Sequence, residues 1–257
     1  VAIPYFILTD SNSNTYDFNN NFIITSKTVN ASIQVLEDAY AAGGKNIADG
    51  FPRSTVITIA GGIYEDSIAN FETADRALKQ ACLKGGQLSL SGDSVSRYLD
   101  VIFAGITETF LRENEHLDQR HRNYNIKFRV ENPFWQDSSE TTDDNVLAGN
   151  DTVSISNGGD YMVKPLITID ADQSVDIPTV TITNTTDGSM LFTYNDPNFV
   201  SGNSVEIDCS EGTVERNGGD SSDYFAGNFL RLLAGTNSID YEGAACTLTF
   251  TFRKIYL

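Results

Sequence analysis

The chain has 257 residues, 40% of them hydrophobic and 20% charged, which is the composition of a globular protein large enough for two modest domains. A formal net charge of −18 opposes any role that grips nucleic acid, because neutralising phosphates takes a basic surface. No apolar run approaches the ~20 residues that span a bilayer, so no membrane insertion is expected.

The opening Val1–Leu8 is apolar but short, has no basic flank or small-residue cleavage site, and reads as a strand rather than a secretion signal. Asp10–Asn21 is rich in Ser and Asn, and apart from it there is little low complexity. Ser32–Ala42 carries Ile33, Leu36 and Tyr40 at helical spacing before Gly43-Gly44, and suits a short helix or a surface arm. Ser54–Ala60 is β-branched and alternating, a strand. Phe71, Ala74, Leu78, Ala81 and Cys82 then recur on one face of a helix from about Phe71 to Lys84. Asn70 is its candidate N-cap and Gly85 its stop, with Glu72 and Asp75 early and Lys79 and Lys84 late, as the helix dipole favours. In Arg120–Val130 the residues Tyr124, Ile126, Phe128 and Val130 alternate with Asn123, Asn125, Lys127 and Arg129, the signature of a half-buried strand.

After Trp135 the composition changes to the acidic, aperiodic Gln136–Asp144. We read a first domain over 1–136, an acidic linker over 137–150 and a second domain over 151–257. Strands are expected near Val163–Asp170, Thr179–Asn184, Met190–Tyr194, Ser204–Cys209 and Cys246–Arg253. The turns between them carry signals such as Asn157-Gly-Gly159, Asp187-Gly188 and Asn217-Gly-Gly219. Short, evenly spaced strands with polar turns point to a β-sandwich.

Little of the sequence suggests catalysis. His116 and His121 lie in an acid-rich stretch, Glu113–His121, whose spacing matches no zinc pattern; it reads as a charged turn leading into the strand near Arg120. Asp170–Ser174 opens like a calcium loop, but Val175 and Thr181 stand where glycine and glutamate are needed. Asp143-Asp144 could in principle be a carboxylate pair, yet it falls in the run read as linker. Cys82, Cys209 and Cys246 have no C-x-x-C spacing and read as buried thiols of a reducing compartment. Tyr161, Tyr194, Phe225 and Phe229 read as core or interface, and the only tryptophan, Trp135, lies outside the second domain. We therefore expect no catalytic residue, no metal site and no cofactor.

Several segments in order carry a resemblance: Asp49–Arg53, Thr55–Ile63, the helix Ala77–Gly86, Arg97–Val101, and Tyr124–Phe128 closing on Asn132–Trp135. The second half adds Asn157–Tyr161, Val163–Ile169, Ile182–Gly188, Ser201–Asp208, Val214–Gly218 and Phe229–Asn237. Together they resemble siphophage tail proteins of the distal tail type, over most of the chain after residue 50. The resemblance implies a mainly β protein: a tail-tube-like N-terminal β-sandwich with one flanking α-helix, then a C-terminal sandwich similar to galectins and carbohydrate-binding modules. It implies a non-enzymatic virion protein, a homo-oligomeric and typically hexameric ring at the phage tail tip, assembled in the host cytoplasm. Its partners would be the tail tube protein and the hub, tape-measure and receptor-binding proteins of the tip. DNA would pass through the lumen without specific binding, and an acidic lumen would suit that passage. The alternatives are another tube-forming or minor tail protein, or a carbohydrate-binding adhesin.

Overall fold

The computed structural model describes residues 5–18, 23–30, 55–91, 96–113, 116–130, 132, 134–171 and 176–256. The helix or arm expected over Ser32–Ala42 lies outside these residues. The chain divides into two compact units, Val1–Trp135 and Gln136–Leu257.

The first unit contains β1 (Tyr5–Thr9), β2 (Thr15–Asp17), β3 (Ile23–Asn30), β4 (Thr55–Tyr64), α1 (Ile68–Lys84), β5 (Gly86–Ser91), β6 (Arg97–Glu113) and β7 (His116–Val130). The strands form an antiparallel sheet in the order β2-β1-β5-β6-β7-β4-β3. The strands of this unit are joined by pairing into one sheet, and α1 packs its buried face into the same core. Tyr124, Ile126, Phe128 and Val130 are all buried while Asn125, Lys127 and Arg129 are exposed, as the alternation requires. Phe71, Leu78 and Cys82 of α1 are buried in the same core, with Ala74 and Ala81 packed beside them.

The helix starts earlier than its apolar stripe suggests. Ser67, not Asn70, is the N-cap, and its hydroxyl accepts from the Asn70 amide at 3.2 Å. Glu72 and Asp75 consequently fall beyond the first turn, which holds no acid. Gly85 closes the helix with φ +62°, and its amide donates to the Cys82 carbonyl. Gly86 follows at φ +125°, where a β-carbon would collide with the Thr9 carbonyl, so the tight passage from α1 into β5 needs glycine.

β8 (Trp135–Asp137) spans the boundary, and the second unit goes on with β9 (Thr141–Leu147), β10 (Asp151–Asn157), β11 (Leu166–Ala171), β12 (Thr179–Asn184) and β13 (Met190–Asn195). They are followed by β14 (Ser204–Asp208), β15 (Thr213–Arg216), β16 (Gly219–Asp220), β17 (Phe225–Gly227), β18 (Gly235–Glu242), β19 (Cys246–Phe252) and β20 (Ile255–Tyr256). Two antiparallel sheets, β10-β18-β12-β13-β17 and β16-β15-β14-β11-β19-β9, face each other across one core. Ile167, Ile182, Phe192, Tyr194, Val205, Ile207, Leu248 and Phe250 are all fully buried there.

The acidic run is not a linker. Thr141–Leu147 pairs residue for residue with Cys246–Phe252, from Thr141↔Phe252 to Leu147↔Cys246, and forms the edge strand of the larger sheet. An edge strand is covered on few sides, so Thr141–Val146 needs no apolar alternation and only Leu147 is buried. Residues 114 and 115 of the charged stretch around the histidines lie outside the described residues; on either side of them it is strand, with β6 running to Glu113 and β7 beginning at His116, which pairs with Glu113.

Candidate functional site

Among the described residues the titratable groups do not gather into a reactive centre. His121 sits in β7 opposite Tyr64, their rings 5.3 Å apart, and His116 starts that strand. Among the described residues no three His, Cys, Asp or Glu side chains are placed to hold a metal ion. Asp143 and Asp144 are neighbours on a strand and so project to opposite faces; Asp144 accepts from the Thr249 hydroxyl at 2.7 Å. The three cysteines are unpaired and buried, and burial pushes the Cys82 and Cys209 thiols up to about 12, where they are protonated and poor nucleophiles. Residues 172–175 of the calcium-like loop lie outside the described residues, and Asp170 belongs to β11.

What the side chains build instead is rigidity. In the first unit, Lys79 of α1 bridges Asp75 at 2.9 Å and Glu108 of β6 at 2.7 Å, and Arg122 of β7 reaches Glu108 at 2.7 Å. The Tyr124 hydroxyl donates to Asp75 at 2.6 Å, and the Arg122 guanidinium lies 4.9 Å from the centre of the Phe71 ring. Burial works against the Lys79 ammonium, but Glu108 and Asp75 outweigh it and hold its pKa above the ordinary lysine value. This network fixes the helix to the β6–β7 hairpin. At the other end of α1, Lys84 pairs with Asp10 at 2.7 Å beside an open cavity of about 210 Å³ between α1 and the β1–β2 turn. That Lys84 contact, with the Asn14 amides, holds the Asp10 carboxyl well below its usual range.

In the second unit three fully buried asparagines hold the irregular segment between β17 and β18. The Asn157 amide donates to the carbonyls of Tyr161 at 2.8 Å and Leu232 at 3.2 Å. That of Asn184 donates to the Arg231 carbonyl at 2.8 Å and to Asn237 Oδ1 at 3.1 Å, while its oxygen accepts from the amides of Thr186 and Asp187. Asn237 both accepts from the Leu233 amide and donates to the Leu233 carbonyl, each at 2.9 Å. These residues stand in the Asn157-Gly-Gly, Ile182–Gly188 and Phe229–Asn237 segments, so the motifs behind the sequence resemblance are a buried hydrogen-bonding scaffold. Their composition alone reads as turns.

A second clasp forms around Asp196, whose side chain is fully buried. It accepts from the Tyr194 hydroxyl at 2.9 Å and the Asn198 amide at 2.8 Å, and forms an ion pair with Arg216. Burial alone would raise its pKa; the Asn198 amide, the Tyr194 hydroxyl and Arg216 outweigh it and hold the carboxyl below its ordinary range. Tyr194 is core, while Phe225 and Phe229 stack at 4.6 Å with 14° between their planes and pack onto it.

Charge is unevenly divided. Residues 1–135 hold sixteen acids and twelve bases and residues 136–257 nineteen acids and five bases, so the net −18 splits into −4 and −14. Three of the five bases in the second unit, Arg216, Arg231 and Arg253, are already paired with Asp196, Asp187 and Glu140.

Residues 158–256 match the family model described as the siphovirus-type tail component, C-terminal domain. That match falls within the second unit. Over the whole chain the fold is that of the crystal structure of SPP1 Dit (gp 19.1), a protein described as a paradigm of the hub adsorption apparatus in phages that infect Gram-positive bacteria. The TM-score is 0.67 at 12% identity, covering 98% of this chain and 99% of that one. Chains of the phage P2 baseplate in its activated conformation, with calcium and with strontium, align at a TM-score of 0.43 with 10% and 9% identity. They cover 99% and 97% of this chain and 98% of each of theirs. No curated protein matches by sequence.

Proposed function

We propose that the chain is a structural, non-enzymatic component of a long-tailed phage, the distal tail ring that joins the tail tube to the tip and its host-recognition proteins. The observation that carries this reading is the end-to-end correspondence of both units with SPP1 Dit, added to the family match over 158–256. The side-chain geometry is in keeping with it, since the polar networks brace helix to sheet and loop to sandwich. In this reading the first unit builds a closed, homo-hexameric ring. Its sheet ends at β2 and β3, and edge strands can pair with a neighbouring subunit around a symmetry axis. The second unit projects toward the tip proteins.

The charge division changes one part of that picture. A lumen built from first units inherits −4 per subunit rather than −18, so repulsion of passing DNA is weaker than the whole-chain charge implies. Negative-stain electron microscopy of the purified full-length chain tests the assignment. Closed rings, and decoration of phage tail tips by an antibody to the chain, are expected; a strictly monomeric chain absent from tail tips would overturn it.

A further inference from the structure

The two rims of the second unit's sandwich are built differently. On one, the sheets end in β16 and β17, two and three residues long, and short edge strands offer little backbone to a newcomer. On the other they end in β9 and β10, seven residues each and consecutive in the chain. Neither long strand contains proline, and the β9–β19 register runs without a bulge. Among the described residues nothing pairs with the outer side of β9, so alternate backbone N–H and C=O groups along it face away from β19. Val146 on this strand is 84% exposed, more than any other large hydrophobic residue described.

The charge on this rim says what could cover it. From Gln136 to Val163 the chain has no Lys or Arg, and β9 itself carries Asp143 and Asp144, while Glu140 just before it is paired with Arg253. Two copies of β9 laid together would set carboxylates against carboxylates, which opposes self-pairing. A strand of opposite charge meets no such penalty, and the −14 of the unit favours its approach. We propose that β9 is a docking edge that accepts an extended, lysine- or arginine-rich segment of another protein as an added strand, with an apolar residue of that segment covering Val146. This inference is independent of ring formation, which the first unit carries.

The test uses the full-length chain and a synthetic peptide, KVKVKVKV. Expected are binding that weakens as salt rises, slowed hydrogen exchange at alternate amides within 141–147, and at least tenfold weaker binding of the same peptide N-methylated at alternate residues. Val146→Lys, at a surface position, should keep the thermal midpoint and lose affinity at least tenfold, and EVEVEVEV should not bind. Equal binding of the N-methylated peptide without protection of β9 would reduce the effect to bulk charge and overturn the proposal. So would no binding of KVKVKVKV at low salt, or a dimer of the chain joined through β9 that Val146→Lys dissociates. Ring formation scored by microscopy on the same Val146→Lys sample keeps the two readings separate: it should persist.

Discussion

Replacing Asn184 by alanine removes a side chain that is fully buried and makes four hydrogen bonds. The amides of Thr186 and Asp187 lie in a turn with exposed neighbours and can find water. The Arg231 carbonyl loses the Asn184 donor, while Asn237 Oδ1 keeps the Leu233 amide. With one buried group left unsatisfied, the cost is about 1–3 kcal/mol. For a unit of this size that lowers the melting temperature by about 4 °C at the least. Differential scanning calorimetry of the full-length chain measures it. Asn184→Asp is the sharper companion. The carboxylate keeps the acceptor, loses both donors and meets two acceptor oxygens, so its folded-state pKa is raised above the unfolded value. The native state then binds more protons, and the variant should gain stability as pH falls through that raised pKa, the opposite of a surface aspartate. An unchanged midpoint for Asn184→Ala, or an Asn184→Asp variant indifferent to pH, would show that the asparagine scaffold does not hold the 228–235 segment.

Two further perturbations separate the units. Leu78→Ala empties a fully buried position between α1 and the sheet and should cost about 2–5 kcal/mol in the first unit, leaving the transition that responds to Asn184→Ala in place. An unmoved first-unit transition would mean that the helix does not seal this core. Asp196 has a folded pKa below its ordinary value of 3.8, so its contribution is complete above that value and is lost as pH falls below it. Asp196→Asn should destabilise the second unit at neutral pH and flatten its acid dependence, as denaturation curves from pH 7 down to about 2 would reveal; a parallel acid profile would exclude the clasp.

The legible parts of the sequence were those where burial enforces a period. The α1 stripe and the Tyr124–Val130 alternation each put the expected residues inside, because each element presents one face to a core. Ser67 escaped notice as the N-cap because Ile68 is exposed, so the first turn shows no apolar periodicity. Strand β9 was illegible for a related reason: with one neighbouring strand and a solvated outer face, Thr-Thr-Asp-Asp-Asn-Val is indistinguishable in composition from a linker. The buried asparagines were hidden differently. Asn157, Asn184 and Asn237 have the composition of turns, and only the fold turns their amides inward onto backbone that belongs to no strand. The resemblance to tail proteins was legible only through the order of such segments.

The proposed role of this chain is to build a ring in the tail of a phage. Cryo-electron microscopy of the purified full-length chain, classified for symmetry without imposing any, tests it most directly. The account predicts closed six-fold rings whose continuous inner layer is made of first units, with the second units outside it. A chain that stays monomeric at the concentrations used for imaging, or that assembles through its second units alone, would contradict it.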